Sequence, residues 1–239
     1  MNKIKELLKN KINVYVVISV IIVLSVLILM IVLNGKNIVK NYYELNKIYD
    51  MYPNDVRDIY SNIVDVSCSG DLKFDIDVGS ELDIDKINKD NLLNYMFSYM
   101  DKNNLLGNNL DVSVYTEASK KLFDMDIIKN TKSFNYNGYT YTFAKDKVGR
   151  KNSECHSDNK HVSHLYGYSY NEDGLSIDIK VGYAKDGKLY DYDNNSLGDY
   201  SGNREVLSDL LRMASYYRLV YVKKNGELKL SKVKFMRLS

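Results

Sequence analysis

From Val14 to Leu33 the chain reads VYVVISVIIVLSVLILMIVL, twenty uncharged residues with Ser19 and Ser25 as the only non-apolar members. A helix of that length spans about 30 Å, the thickness of the hydrocarbon core of a bilayer. Only a helix satisfies its own backbone in lipid. The run exceeds the roughly 7–15 apolar residues of a cleavable signal peptide. It ends Ile31-Val32-Leu33-Asn34-Gly35-Lys36 without a small-x-small cleavage pattern. The pattern predicts a transmembrane signal anchor over 14–34.

Beyond the anchor the period is helical at first. Ile38, Tyr42, Leu45, Tyr49 and Tyr52 recur every three or four residues, and Pro53, the only proline, ends that stretch. Val56, Ile59, Tyr60 and Ile63 mark a second helix, so residues 35–66 read as a helical stalk. The period then changes to two. Leu72, Phe74, Ile76 and Val78 alternate with Lys73, Asp75 and Asp77, as in a half-buried strand. Asp83 or Asp85 is placed to cap a helix running to about Lys102, with Ile87, Leu92, Leu93, Met96, Phe97 and Met100 as its apolar stripe. A strand from Leu110 to Tyr115 and a short helix around Ala118 to Phe123 follow.

From residue 133 onward the text is that of antiparallel sheet. Asn137-Gly138, Asp173-Gly174, Asp186-Gly187 and Asn225-Gly226 separate alternating, tyrosine-rich segments, a strong hairpin signal. The strands expected are Tyr139–Phe143, Leu165–Tyr170, Leu175–Tyr183, Leu189–Tyr192, Tyr216–Val222 and Leu228–Phe235. One amphipathic helix, carrying Val206, Leu207, Leu210, Leu211 and Met213, interrupts them. The fold class expected over 67–239 is α+β, a curved antiparallel sheet with helices packed on one face.

Charge adds orientation. Residues 1–13 hold Lys3, Lys5, Lys9 and Lys11 against Glu6, a local balance of +3 within a chain whose total is +2. The positive-inside rule makes 1–13 a cytoplasmic stub and places the C-terminal domain outside the cell membrane, with the lipid bilayer as partner of residues 14–33. Taking the stub's four lysines and one glutamate from the 33 basic and 31 acidic residues leaves 29 and 30. A near-neutral outer domain offers no electrostatic case for nucleic acid.

Chemistry is sparse. Cys155, His156, His161 and His164 gather every histidine and half the cysteine within ten residues of a polar segment, 145–164, expected between strands. Thiolate and imidazole suit zinc or copper, but the spacing follows no standard zinc template, and solvated side chains fit the same pattern. Cys155 has a competing use in a disulfide with Cys68, the only other cysteine, which would close a loop of almost ninety residues and stabilise by about 4–5 kcal/mol in the chain-entropy model. The bond and a thiolate–metal site exclude each other. Gly182 to Leu189 fits G-x4-G-K but has Leu where a phosphate loop needs Ser or Thr, and it lies between strands. Asp191-x-Asp193-x-Asn195 opens like a calcium loop yet has Ser196 and Gly202 at positions six and twelve. No catalytic residue and no cofactor is assigned.

The helix at 204–214 followed by YYRLVYVKKNGELKLSKVKF, Tyr216 to Phe235, resembles the closing helix and long hairpin of NTF2-like or cystatin-like extracytoplasmic domains. The whole plan, with its Asn/Lys/Ile/Tyr-rich composition, resembles single-pass surface proteins of low-GC Gram-positive bacteria. In architecture it is also similar to the bitopic scaffolds of conjugation machines. The resemblance covers about a third of the outer domain and carries over no functional residue. Together with the aromatic sheet, it implies a tethered binding or scaffold protein with a protein partner in the cell envelope. The alternatives are a membrane-anchored surface hydrolase built from scattered Asp, Glu, Tyr or His, and a metal-binding surface protein using the histidine cluster.

Overall fold

A computed structural model describes residues 52–61, 74, 76–77, 79–154 and 160–236, all within one compact unit that spans Tyr52–Ser239. The expected anchor at 14–33, the expected first stalk helix up to residue 51, Cys68, Cys155 and His156 lie outside the described residues. In chain order the elements are α1 (Asn54–Ser61), β1 (Glu81–Asp83), a 3-10 turn (Ile84–Lys86), α2 (Lys89–Lys102), β2 (Leu110–Asp111) and α3 (Val112–Phe123). Next come β3 (Ser133–Tyr136), β4 (Tyr139–Phe143), β5 (Lys147–Asn152), β6 (Lys160–Asn171), β7 (Gly174–Lys185), β8 (Lys188–Tyr190) and β9 (Ser196–Asp199). The described chain closes with α4 (Arg204–Leu210), a 3-10 turn (Leu211–Met213), β10 (Tyr216–Lys224) and β11 (Glu227–Met236).

Three of the four turn dipeptides act as their residues dictate. Asn137-Gly138, Asp186-Gly187 and Asn225-Gly226 all sit at positive φ, the type I′ geometry whose twist matches the strands it joins. The fourth is different. The β6–β7 loop is Glu172-Asp173, and Gly174 already belongs to β7, facing Asn171 on one side and Val222 of β10 on the other.

The expected α+β class holds, but the strands form two antiparallel sheets instead of one. In the larger, β7 is central: β6 runs along one side, and β10 then β8 along the other, in the order β1-β11-β10-β7-β8-β9. The smaller has the order β2-β5-β4-β3. The reason lies in α2, whose residues Leu92 to Ser98 are all buried, so it packs on two sides. Tyr95 points to the larger sheet, where its hydroxyl lies 2.8 Å from that of Tyr221. Phe97, two residues on and so on the opposite side of the helix, meets the smaller sheet through Phe134, Tyr136 and Tyr141 at centroid distances of 5.0, 5.4 and 4.8 Å. One face of the larger sheet, with Leu175, Ile177 and Ile179 of β7 beside Tyr221, Leu219 and Tyr217 of β10, is buried beneath these helices. The other face is covered at one end by α4 and its 3-10 turn, through Leu207, Leu211 and Ala214 on Val162, Leu189 and Tyr200.

Several local expectations are corrected. The strand expected over Leu110–Tyr115 is β only at 110–111, and α3 starts at Val112. The β-branched text VSVYT hides a helical spacing of Tyr115, Ala118, Ser119, Leu122 and Phe123, all buried, and burial overrides propensity. Of the alternating stretch at 72–78, the described residues 74, 76 and 77 are not in a strand. Phe74 and Ile76 are nonetheless buried, and the Ile76 N–H donates to the Phe74 carbonyl at 2.7 Å in a tight turn. Neither Asp83 nor Asp85 caps α2. Asn88 does, its side chain accepting from the Asp90 N–H at 2.9 Å. Strands β1, β3, β5 and β9 are not among those expected: β1, β3 and β9 span three or four residues, and β5, KVGRKN, buries a single side chain, Val148.

The Tyr95–Tyr221 pair makes the fold sensitive to alkali. Burial pushes Tyr95 up to about 12, partly offset by the hydrogen bond from Tyr221, and burial and then Tyr95 drive Tyr221 well above the ordinary tyrosine value. A proton held more tightly in the fold gives stability that is complete below pH 10 and is lost as pH rises from 10 toward 12. For Tyr95 that amounts to about 3 kcal/mol. The expected result is a cooperative unfolding step in the alkaline range, in which circular dichroism is lost together with a late rise in tyrosinate absorbance. A single smooth titration of all 22 tyrosines near pH 10 with the fold intact would contradict it.

Candidate functional cleft

The sequence-derived candidates are separated by the strand that carries them. His161 and His164 lie on β6, three residues apart, so they point to opposite faces of the sheet. His161 is buried, its Nδ1 3.2 Å from the Tyr192 hydroxyl. His164 stands across from Lys180. Among the described residues no three His, Cys, Asp or Glu side chains gather as a metal ion would need. The calcium-like turn is also accounted for: Asp191 Oδ1 accepts from the N–H groups of Asp193 and Asn195 at 3.0 and 2.8 Å, and Oδ2 accepts from Asn195 Nδ2 at 3.0 Å. The G-x4-G-K stretch is the β7–β8 hairpin.

A cleft does form elsewhere, from residues that no motif marks. It has a volume of about 830 Å³, within the roughly 300–1,000 Å³ of ordinary ligand sites. It opens where the β6–β7 and β10–β11 hairpin ends meet the ends of three helices. One side is α1, which lies along β6. The Tyr52 ring meets that of Tyr168 edge-on at 5.7 Å, the Tyr170 hydroxyl donates to Asp55 Oδ1 at 2.6 Å, and the Tyr60 hydroxyl donates to the Ser163 carbonyl at 2.9 Å. Val56 and Tyr60 are buried by this contact. An eight-residue helix is too short to persist alone, so α1 owes its form to docking on β6. The other side is built by the C-terminal ends of α2 and α3 and by the β10–β11 turn, since α3 packs on β11 and the Lys229 ammonium donates to the Lys120 carbonyl at 3.2 Å.

Both signs of charge line the cleft, and the Lys223 N–H donates to the Asp173 carbonyl at 2.8 Å, next to Glu172. Asp55, Asp58 and Glu172 belong to α1 and the β6–β7 turn, and Lys102, Lys121 and Lys223 to the helix ends and β10. Glu227 is engaged by Lys229 at 2.6 Å, and that hydrogen bond holds its carboxyl below the usual range. Lys121 lies over the Tyr99 ring at 5.4 Å, and its bond to the Tyr99 hydroxyl raises its ammonium above the ordinary value. Tyr170 is pushed up to about 12, first by desolvation and then by its bond to Asp55. Ile59, Leu122 and Leu228 supply apolar lining, and none of the described lining residues is His or Cys. The arrangement can pair with charges of both signs.

The open part of the larger sheet's second face carries a bidentate pair, Arg218 to Asp178 at 2.7 and 2.8 Å. Beside it, Lys180 is 1 % exposed. Its ammonium donates to the Arg212 carbonyl and lies 4.3 Å from the Tyr166 ring centroid, and burial lowers its pKa. These contacts pin the turn after α4 to the sheet. Comparison with protein-family models, curated proteins and solved structures finds no match to this chain.

Proposed function

We propose that the chain is a membrane-tethered extracytoplasmic binding or scaffold protein, non-catalytic, working within a cell-envelope complex. The anchor at 14–33 with its +3 flank supports the address. The observation that carries the activity is the cleft beside α1, whose described lining combines carboxylates, ammonium groups and apolar side chains. The opposed directions of His161 and His164 do not favour the metal-binding alternative.

Two measurements test the reading. Intact cells are treated with a membrane-impermeant maleimide, before and after reduction. Cys68 and Cys155 are expected to label from outside, and only after reduction if they are bonded. Label that enters solely after lysis would place the domain inside and overturn the address. A photo-crosslinking residue at Asn103, on the cleft rim, is expected to form a discrete adduct in cells that the Asp58→Lys/Glu172→Lys variant loses. An adduct undiminished in that variant, or none at all, would overturn the cleft as the binding site.

A further inference from the structure

We infer that the groove between the outer edge of β3 and the first half of α2 takes an extended segment of a partner protein as an added strand of the smaller sheet. This groove shares no lining residue with the cleft beside α1 and touches the other end of α2.

Turn chemistry fixes which backbone groups of β3 are free. Asn137-Gly138 is a two-residue turn, so Tyr136 and Tyr139, which flank it, exchange both of their hydrogen bonds. Antiparallel pairs then alternate: Asn135 opposite Thr140 is not hydrogen-bonded, Phe134 opposite Tyr141 is, and Ser133 opposite Thr142 is not. The Phe143 N–H donates to the Lys132 carbonyl at 2.9 Å, which sets the same alternation from the far end. Ser133 and Asn135 therefore turn their N–H and C=O groups away from β4. Among the described residues β3 ends the strand order β2-β5-β4-β3, and both residues are exposed. Two donors and two acceptors stand along that edge at strand spacing.

The second observation is the groove itself. A cavity of about 370 Å³ is lined by Ser133, Phe134 and Asn135 of β3 and by Asp90 and Asn94 of α2. Successive side chains of a strand point to opposite faces, so a cavity touching three in a row runs along the strand's edge. Asp90 and Asn94 lie one helical turn apart and form a single wall. Asp90 has no ion pair among the described residues, and the buried Asn94 Oδ1 has no hydrogen-bond donor there. That wall favours a lysine or arginine on the incoming segment.

The other edges are blunted. β1 carries Glu81 and Asp83, held by Lys232. β9 meets β8 through an irregular register, and β6 bulges between Leu165 and Gly167 with α1 docked along it. β2 has two residues, one of them charged. β3, SFNY, has no charge, no proline and no bulge. A second copy of the chain fits the groove poorly. Pairing β3 with β3 about a two-fold axis puts both α2 helices on the Phe134 face, over the same junction. A single extended segment brings no such helix.

The test selects peptides from a random seven-residue phage library on the full chain in nanodiscs, after removal of binders to empty nanodiscs, and measures the synthetic peptides by fluorescence polarisation. Ser133→Pro removes one outward N–H at the first residue of an edge strand, where proline is tolerated. Its melting temperature is expected to be unchanged and its affinity for the selected peptides to fall about tenfold or more. A control that leaves the protein untouched is N-methylation of alternate peptide residues, expected to abolish binding in one parity and to spare it in the other. Lysine or arginine should be enriched, and Asp90→Asn should cost such peptides about threefold. No selected peptide, equal affinity for Ser133→Pro, or N-methylation that acts alike in both parities overturns the proposal. Peptides that bind Ser133→Pro normally but lose Asp58→Lys/Glu172→Lys belong to the cleft, and overturn this inference while leaving the cleft reading intact. Dimerisation of the chain that Ser133→Pro abolishes identifies a second copy as the occupant and overturns the partner segment.

Discussion

Alanine in place of Gly174 is expected to destabilise the folded domain by about 3 kcal/mol or more, because overpacking against rigid backbone leaves little room to relax. A Cβ at this position would collide with the carbonyl oxygen of Tyr221 and lie 3.0 Å from both its carbonyl carbon and the Cα of Val222. Those atoms belong to the β7–β10 ladder that joins the two halves of the larger sheet. They cannot yield as a flexible side chain would. Gly149 is the control: it lies in β5 with nothing within 4 Å of a would-be Cβ. Gly149→Ala should leave stability unchanged or raise it by a few tenths of a kcal/mol. Thermal unfolding of the full chain in nanodiscs, read by circular dichroism, should show a fall of about 6–12 °C for the first and no fall for the second. Equal melting temperatures for the two would refute the close-approach argument.

The second large effect is expected at Phe97. Its side chain is fully buried and meets Tyr115, Phe134, Tyr136 and Tyr141 at centroid distances between 4.8 and 5.7 Å. Truncation to alanine removes the ring and leaves a cavity among side chains held by α3 and the smaller sheet, at a cost of about 3–5 kcal/mol. Loss of edge and tilted ring contacts adds to the transfer cost. Near-ultraviolet circular dichroism should lose intensity, since four aromatic neighbours lose their fixed partner. Tyr139→Ala, half-buried on the same sheet, should cost far less. A loss below about 1 kcal/mol for Phe97→Ala would mean that the smaller sheet does not depend on α2 for its place.

Both predictions concern features that sequence text conceals in different ways. In the sequence Gly174 reads as half of a turn dipeptide, and a glycine is indeed required there, but for a different reason. The three dipeptides at 137, 186 and 225 need positive φ, a local property legible in adjacent residues. Gly174 is required by the backbone of a strand almost fifty positions away. Phe97 was legible as core, since Ile87, Leu92, Leu93, Met96 and Met100 share its stripe. That the stripe is not the whole buried surface was not legible, because Asn94, Tyr95 and Ser98 look like an outer face and are buried, Tyr95 against Tyr221 of the larger sheet and Asn94 and Ser98 toward the smaller one. The strand expected at Leu110–Tyr115 failed on the same ground: Val112 and Val114 suit a strand, and the pull of Tyr115, Ala118 and Leu122 into the core makes a helix.

The candidate cleft was hidden more thoroughly. Asp55 and Tyr170 touch across 115 residues of chain, and Asp58, Lys102, Glu172 and Lys223 each read as ordinary solvated positions. Conversely, the histidines that stood out in the text are divided by the alternation of a strand that the polar segment 145–164 did not announce.

The sequence by itself determined what depends on neighbours within a few residues: an uncharged run of twenty apolar-rich residues, the lysine excess that precedes it, three of the hairpin turns, and an α+β order of elements. Hydrophobic period and backbone stereochemistry act at that range, so they are written in consecutive letters. Tertiary structure alone decided that there are two sheets, that α2 lies buried between them, that Gly174 meets β10, and that carboxylates and ammonium groups distant in sequence line one cleft beside α1. Each of these depends on which surfaces come together when apolar area leaves water, and that drive is proportional to area without regard to distance along the chain.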